Sequence, residues 1–202
     1  MKLYGMGQSR SFRALWALEE SGLEYEYVNT TLRTDSTDTD SAKHPSYLEL
    51  NVQGKVPTLV DGDLVLTECF AILNYIARSA PDSGLLPKVS TPAYAKLDEL
   101  SYFILAELEQ PLWSKGKHMF ALPEEYRIPA MFDTAKFEFN KAVNALDHLF
   151  GANDNEYVLG NEFCKVDLLL ARFEFDVPDK FIALRDRHYQ RPAAQRAMAI
   201  IE

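Results

Sequence analysis

The residues NVQGKVPTLVDG, positions 51–62, decide the fold of the first half of this chain. Two apolar triplets, 58–60 and 64–66, flank the turn sequence Asp-Gly-Asp, which is a signal for a β-hairpin. Pro57 stands immediately before the first triplet. Because proline has no backbone N–H to donate, it belongs at the first position of a strand rather than inside one. The stretch therefore predicts a hairpin whose first strand begins at Pro57 or directly after it.

The hairpin leads into LTECFAI, residues 66–72, and the segment 68–78 is apolar on nearly every side, which predicts a helix covered on both faces. If the peptide bond before Pro57 is cis, the N–H and C=O of Val56 face outward together and can pair with an extended peptide. A helix that begins near Glu68 directs its N–H groups toward the same pocket and suits a carboxylate. A plain hairpin with a trans proline and a simple helix cap fits these residues equally well, so both interpretations stay open.

The residues before this stretch alternate between strand and helix patterns. Gly22 closes the first apolar helix, as a glycine just after a helix commonly does. The segment 33–46 is rich in threonine, serine and aspartate and predicts a solvated, mobile loop. The predicted elements are a strand at 2–5, a helix at 9–20 and a strand at 25–32. Residues 1–80 are therefore predicted to form an α/β domain with the order β-α-β, a loop, then β-β-α.

A proline-rich linker separates this domain from a purely helical one. Residues 81–92 contain three prolines, a glycine and two serines, and no strand pattern returns after them. Periodic apolar positions predict helices at 93–110, 128–150, 166–175 and 181–201. The sequence therefore predicts two domains, α/β over 1–80 and all-α over 93–202.

Composition and charge limit the classes of function. The chain has 202 residues and a formal net charge of −9, so it gains nothing from counterion release on nucleic acid and is repelled by anionic membranes. No apolar run reaches the length of a membrane span, and the first residues lack a signal-peptide pattern. Two cysteines without metal-ligand spacing and four scattered histidines indicate no metal site. We expect a cytoplasmic protein with neither nucleic acid nor membrane as a partner.

The stretch at 51–72 resembles the glutathione-binding segment of cytosolic glutathione transferases, whose usual form is Asn-Pro-x-Gly-x-Val-Pro-x-Leu, then Glu-Ser and an apolar helix. Residues 1–27 are similar to the family's first strand and helix. Residues 160–167 resemble a helix start in its C-terminal domain, and 185–197 resemble its closing helix. Because these segments occur in the family's order and bracket nearly the whole chain, the protein is identified as a member of this family.

The resemblance implies a thioredoxin-like N-terminal domain that binds glutathione and a helical domain that holds the second substrate. It implies that Val56 pairs with the cysteinyl part of glutathione through its backbone and that Pro57 is cis. Glu68 and Cys69 would receive the γ-glutamyl end. Lys55 is placed to meet the glycyl carboxylate, although a solvated loop lysine fits its position nearly as well. Family members are usually homodimers, and glutathione is their co-substrate without a metal.

Two cysteines depart from the family pattern. Cys69 stands where a serine hydroxyl is usual and is a weaker hydrogen-bond donor. Cys164 replaces the hydroxyl residue of a capping box that ends at Asp167, so we expect a less stable helix start in which the acid still returns a bond to the backbone. Both are interpreted as serine replacements and not as a redox pair.

The catalytic group should lie between the first strand and the first helix, where the family places a Tyr, Ser or Cys. Lowering the pKa of a thiol by ~2 units requires about 2.7 kcal/mol of preferential stabilisation of the anion. Alignment with serine-type bacterial members puts Ser9 at the catalytic position, with Arg10 beside it. Ser9 is also a good helix N-cap candidate. Ser11, Arg10 and Tyr4 remain alternatives, as does activation without any side chain.

The second-substrate site is the least defined. The resemblance places it along the first helix of the second domain, where Tyr102 and Trp113 are candidates, although aromatic residues at helical spacing are more often core than ligand wall. The expected function is detoxification, in which activated glutathione attacks a small hydrophobic electrophile or a peroxide. The alternatives are a glutathione-dependent isomerase or dehalogenase, and a non-catalytic protein-binding member of the same fold.

Overall fold

The computed structural model of the chain describes residues 1–7, 9–33, 35–150, 156–160, 163–165, 167 and 177–202. Their contacts form two compact units, Met1–Leu86 together with His188–Glu202, and Pro87–Arg187. The division between the units falls inside the predicted linker 81–92. The C-terminal residues differ from the prediction, because His188–Glu202 pack with the N-terminal unit and not with the helical domain assigned to 93–202.

The N-terminal unit is built on a four-stranded sheet in the order β2-β1-β3-β4. The strands are β1 (Lys2–Gly5), β2 (Glu26–Asn29), β3 (Thr58–Asp61) and β4 (Leu64–Leu66). β1 runs parallel to β2 and antiparallel to β3, with Tyr4 opposite Thr58. The predicted strands and hairpin are therefore confirmed, and the end of β1 meets the start of β3 at one end of the sheet.

Helices α1 (Ser11–Ser21) and α3 (Cys69–Ser79) pack against each other and supply much of the core of this unit. Trp16 on α1 and Ile72 on α3 are fully buried. α1 ends as predicted at Gly22, whose left-handed backbone (φ 68°) lets its N–H reach the carbonyl of Leu18 at 3.2 Å.

A short helix, α2 (Pro45–Leu50), lies where the sequence predicted the end of a solvated loop at 33–46 and no helix. Pro45 occupies the first helical position, which suits a residue without an N–H. The imidazole Nδ1 of His44 accepts the N–H of Ser46 at 3.3 Å and takes the place of the usual hydroxyl or carboxylate cap. The prediction missed this helix because it is too short for a periodic apolar pattern and its cap is an uncommon residue.

The second unit is helical in the part of the chain that the structure describes. It contains α4 (Pro92–Phe103), a π-helical turn (Ile104–Leu108), α5 (Glu109–Gly116), a second π-helical turn (Lys117–Ala121) and α6 (Met131–Phe150). The predicted helix end at residue 110 is therefore too early. Proline normally interrupts a helix, because it has no N–H to donate to the backbone hydrogen bonds. Before Pro111, however, the turn is wide, and the N–H of Glu109 reaches the carbonyl of Ile104. This turn shifts the backbone hydrogen-bond pattern, so the helix accommodates the missing N–H of Pro111.

Two helices, α7 (Asp179–Tyr189) and α8 (Pro192–Ile201), replace the single helix predicted at 181–201. Proline disfavours the helical conformation of the residue before it, and Arg191 is extended with φ −63° and ψ 138°. The chain therefore breaks there and a new helix starts. The predicted helix at 166–175 lies, apart from Asp167, outside the described residues. Short 3₁₀ helices occupy Pro81–Ser83 and Glu124–Tyr126.

An ion pair fastens α8 to α1. Arg191 donates from Nε and Nη2 to the two carboxylate oxygens of Glu20 at 2.6 and 2.8 Å. The indole N–H of Trp16 reaches the same carboxylate at 2.9 Å, and the ring of Tyr189 stacks on Trp16 with centroids 5.7 Å apart. The C-terminal residues thus complete the core of the N-terminal unit.

Candidate functional site

Three segments meet at the end of the sheet where β1 finishes and β3 begins: the loop after β1, the residues before β3, and the start of α3. The pairing of Tyr4 with Thr58 places the loop that leads to Ser9 beside the residues before β3. The thiol of Cys69, the first residue of α3, donates to the backbone carbonyl of Arg10 at 3.5 Å and so joins the starts of α1 and α3. These three segments carry the site residues that the sequence suggested in the N-terminal domain, except the alternative Tyr4, which lies on β1.

The half-buried hydroxyl of Ser9 lies just before α1. Its Oγ accepts the N–H of Ser11 at 3.2 Å and donates to Oγ of Ser11 at 2.9 Å. Ser9 therefore supports the helix start, although the helix begins at Ser11 and Arg10 takes the N-cap position. Because a hydroxyl proton rotates about its C–O bond, the same group can turn toward an anionic sulfur placed before the helix.

Ser11 is fully buried and has a structural role. Its Oγ accepts the N–H of Met6 at 3.3 Å as well as the hydroxyl of Ser9. A Cβ added to Gly5 would lie 2.7 Å from the Cβ of Ser11, so this close approach requires glycine at position 5. Of the two serines in this segment, Ser9 is the one with accessible surface.

The Val56–Pro57 peptide bond is cis, as the resemblance implies. None of the hydrogen bonds among the described residues engages the backbone N–H or C=O of Val56, which is partly exposed. Both groups therefore remain open to an extended peptide that adds alongside.

The start of α3 presents an acidic side chain and a helix N-terminus. Glu68 is exposed at the N-cap position, and its carboxylate makes no hydrogen bond or ion pair with other described residues. Cys69 is only 8% exposed, and its thiol is turned toward Arg10. The exposed ammonium of Lys55 donates to Oε1 of Gln53 at 2.9 Å. The carboxylate suits an ammonium group, and the helix start suits a carboxylate.

A buried network that the sequence analysis missed braces the residues before β3. The hydroxyl of Tyr47, on α2, donates to the carbonyl of Lys55 at 2.6 Å, and its oxygen lies 2.8 Å from Oγ1 of Thr58. The amide of Asn51 donates to the same carbonyl at 2.9 Å and to Oγ1 of Thr58 at 3.1 Å. These contacts cross a loop, so no helical or strand periodicity reveals them. The one sequence signal for this network was that Asn51 is the first residue of the stretch 51–62 that resembles the glutathione-binding segment.

Burial raises the pKa of Tyr47, against a smaller opposing effect of its hydrogen bonds with Thr58 and Asn51. Burial also raises the pKa of Tyr27, whose ring packs on Gly5. The Tyr47 hydroxyl therefore stays protonated at neutral pH and remains a donor in the network.

The candidate second-substrate residues lie in the second unit. Tyr102 on α4 is 62% exposed, and Trp113 on α5 is half-buried. Met119 and Phe120, in the π-helical turn after α5, are 49% and 68% exposed. These side chains present apolar surface to solvent.

In the capping box of the second unit, the carboxylate of Asp167 makes the predicted hydrogen bond with the backbone. Asp167 is fully buried, and its Oδ2 accepts the N–H of Cys164 at 2.8 Å. Its Oδ1 accepts the N–H of Val158 at 2.8 Å, so the same carboxylate also holds the preceding turn. Neither Cys164 nor Cys69 forms a disulfide among the described residues.

Two kinds of feature are absent from the residues that the structure describes: a cluster of metal ligands and a helix that could cross a membrane. No three His, Cys, Asp or Glu side chains there are grouped so that they could hold a metal ion. No helix in the same residues combines the length and apolar character needed to cross a membrane.

Comparison with known proteins agrees with this architecture. Residues 1–78 match the family model for the glutathione S-transferase N-terminal domain. A glutathione S-transferase of Triticum aestivum is 31% identical over 97% of this chain and 92% of its own length. A zeta-class glutathione S-transferase of Euphorbia esula is 30% identical over 98% of this chain and 89% of its own length. A sphingomonad glutathione S-transferase complexed with glutathione superposes with a TM-score of 0.80 at 26% identity, and the match covers 100% of this chain and 98% of that chain.

The family model covers the thioredoxin-like sheet but not the helical unit, whereas the likeness to the solved structure extends over both. The curated relatives match almost from end to end, so both halves of the chain share one ancestry with them. By sequence and by fold, the chain belongs to the glutathione S-transferase family of enzymes and has the general function of a glutathione transferase.

Proposed function

We propose that Ser9 activates the thiol of glutathione bound at the end of the sheet, and that the thiolate attacks a small hydrophobic electrophile or reduces a peroxide. The observation that carries this proposal is the convergence of the starts of α1 and α3 with the residues before β3. Each of these segments offers one kind of group that the tripeptide requires.

The ligand contacts follow from the chemistry of glutathione. The backbone of Val56 pairs with the cysteinyl part as an added strand does. Glu68 receives the γ-glutamyl ammonium, and the backbone N–H at Cys69 receives the carboxylate of the same residue. Lys55 turns from Gln53 to the glycyl carboxylate.

The thiolate is stabilised by a hydroxyl and by a helix end. A free thiol is ionised to only a few per cent at neutral pH. Lowering its pKa by ~2 units requires the thiolate to be stabilised over the thiol by about 2.7 kcal/mol. A charge-assisted hydrogen bond from Ser9 and the positive end of α1 supply energy of this order, and Arg10 adds a positive charge beside it. Turning the Ser9 hydroxyl toward the thiolate breaks its hydrogen bond to Ser11, which costs about 1 kcal/mol. The charge-assisted hydrogen bond to the thiolate contributes more than this.

The N-terminal unit holds glutathione in this proposal, and the helical unit supplies the second-substrate site. Tyr102 and Trp113 are the candidate residues for a hydrophobic electrophile. The exposure of Tyr102 and of Phe120 supports this assignment, because aromatic surface open to solvent is available to an apolar ligand.

The protein is further proposed to act as a cytoplasmic homodimer in detoxification. Tyr126 and Phe137 in the second unit are 64% and 70% exposed, and aromatic side chains are enriched at protein interfaces. Light scattering tests the assembly: twice the 23.0 kDa chain mass supports the dimer, and the chain mass itself contradicts it.

Calorimetric titration with glutathione, followed by a screen of electrophiles, peroxides and isomerisable acids, tests the proposed reaction. Binding together with conjugation or peroxide reduction is the expected result. Binding with isomerisation or dehalogenation alone would reassign the reaction class. A wild-type protein that does not bind glutathione would contradict the proposal and favour the protein-binding alternative.

A further inference from the structure

We propose that Tyr47, Asn51 and Thr58 are positioning residues that hold the backbone of Val56 in the register that glutathione binds. The proposal rests on the glutathione site proposed above. It assigns no contact with the ligand to these three side chains. Their effect passes through the backbone of residues 55–58.

The hydrogen bonds of the network can be assigned donor by donor. The N–H of Gln53 donates to Oδ1 of Asn51 at 3.1 Å, so the amide NH₂ of Asn51 must face the other way. Its two protons go to the carbonyl of Lys55 and to Oγ1 of Thr58. Tyr47 gives its single proton to Lys55, which leaves Thr58 as the donor to the Tyr47 oxygen. Every side-chain proton in the network is used.

The network is buried as well as complete. Tyr47, Asn51 and Thr58 are 5%, 3% and 0% exposed. A hydrogen bond shielded from water is stronger than one at the surface, and a missing member leaves a buried polar group without a partner. The three side chains therefore form a rigid support.

The network holds both ends of the four-residue segment 55–58. The carbonyl of Lys55 is held at one end, and the side chain of Thr58, which lies opposite Tyr4 in the sheet, is held at the other. Only Val56 and Pro57 lie between these points, so the position of the Val56 backbone is set by the network. A loop fixed in its bound conformation loses less entropy when an extended peptide adds to it.

Tyr47→Phe is the first test, because it removes one hydroxyl and keeps the ring that packs on Tyr4. We expect the KM for glutathione to rise roughly five- to tenfold, with kcat and the KM for the second substrate unchanged. Tyr75→Phe is the matched control. It removes a hydroxyl that donates to Asp61 at 2.6 Å in the same unit but outside the network, and we expect the wild-type KM.

Thr58→Val and Thr58→Ser form a second matched pair, since both alter the side chain and only serine keeps the hydroxyl. Valine should raise the KM for glutathione, and serine should restore it even if both proteins unfold at lower urea concentrations. Equal KM values in the wild type, Tyr47→Phe and Thr58→Val, or a parallel rise in the Tyr75→Phe control, would overturn the positioning role.

Amide hydrogen exchange without ligand separates this inference from the proposed function. Exchange at the N–H groups of Gln53 and Gly54, which both donate to Asn51, should speed up in Tyr47→Phe and not in Tyr75→Phe, whether or not glutathione binds. An unchanged exchange rate in Tyr47→Phe would contradict the claim that the network makes the backbone of this loop rigid. Faster exchange in a protein whose wild type does not bind glutathione contradicts the proposed function, and the positioning role for glutathione falls with it.

Discussion

At the scale of single residues, Ser9 is the decisive position. Ser9→Ala should raise the pKa of bound glutathione toward its free value, because the anion loses its hydroxyl donor. Turnover at neutral pH should fall by roughly 10- to 100-fold for a shift of ~1–2 units, and part of the loss should return at high pH. Absorbance of the bound thiolate, followed against pH, measures the shift. An unchanged pKa would leave Ser9 with the helix-start role alone.

Two serines of α1, Ser11 and Ser21, serve as controls. Ser21, whose hydroxyl donates to the carbonyl of Leu18 at the far end of α1, should tolerate alanine without a change in the pKa of the bound thiol. Ser11→Ala should lower the free energy of unfolding by about 1–2 kcal/mol, since Met6 loses its acceptor. Its bound thiol should keep nearly the wild-type pKa. A Ser11→Ala protein that folds normally and loses the thiolate would transfer the activating role to Ser11.

Glu68→Gln tests the ammonium site. The exposed carboxylate has no other partner among the described residues, so its substitution should leave stability nearly unchanged. Glutathione binding should weaken by about 1–3 kcal/mol, because a charged hydrogen bond is replaced by a neutral one. Calorimetry on Glu68→Gln and on a matched exposed change, Glu49→Gln on α2, measures the difference. Equal weakening in both variants would point to net charge and not to a specific contact.

Residue type and motif spacing predict which groups act on a ligand, but not which groups hold them in place. Ser9 and Glu68 could be suggested from the sequence because their chemistry suits a thiol and an ammonium group. Tyr47 could not, because its contacts with Lys55 and Thr58 depend on a helix that the sequence did not predict and on the path of a loop. Buried hydrogen-bond partners across a loop carry no periodic signal.

At the scale of elements, the pairing of α8 with α1 should contribute measurably to stability. Arg191→Ala leaves the Glu20 carboxylate, whose side chain is only 10% exposed, without its bidentate partner. We expect the free energy of unfolding to fall by about 1–3 kcal/mol in urea titrations. Arg185→Ala is the control, since Arg185 pairs with the adjacent, exposed Asp186 and such pairs contribute about 0–1 kcal/mol.

A double-mutant cycle then separates the pair from its surroundings. Glu20→Gln alone should also destabilise the protein, and Arg191→Ala should cost less in that background, because the two residues share one interaction. Additive losses would show that Arg191 acts through packing alone.

The elements that the sequence predicted well are those set by local rules. Gly22 ends α1 and the Asp-Gly-Asp turn closes the hairpin, and both depend on a few neighbouring residues. The errors occurred where a local rule competes with a longer context. Pro192 starts a second helix within the range 181–201, where continuous periodicity predicted a single one. Pro111 lies inside a helix because a π-helical turn precedes it.

At the scale of the whole molecule, the free energy of unfolding should decrease as the pH becomes alkaline. Burial raises the pKa of Tyr25, Tyr27 and Tyr47 above the ordinary value of 10.0, and in Tyr25 a hydrogen bond to Glu19 adds to the effect. The folded state therefore holds these protons more tightly than the unfolded state. Their stabilising contribution is complete below about pH 10 and is lost as the pH rises above it.

Urea titrations at a series of pH values from about 8 to 11 measure this loss. Tyr25→Phe should flatten the decline, because one of the raised groups is gone. Tyr126→Phe, at an exposed side chain, should keep the wild-type dependence. A free energy of unfolding that stays constant through this range would show that the tyrosines ionise equally in both states.

The packing of α8 on α1 also has a consequence for biosynthesis. Arg191 and Arg196 contact Glu20 and Glu19 across 171 and 177 positions of sequence, so the N-terminal unit is completed by residues that are translated long after α1. At a synthesis rate of about 5–20 residues per second, the first sheet and α1 wait on the order of ten seconds for their final partner. During that interval, the face of α1 that holds Trp16 lacks the contact with Tyr189, so a chaperone that binds apolar helices has a binding site there until α8 has been synthesised and packs against α1.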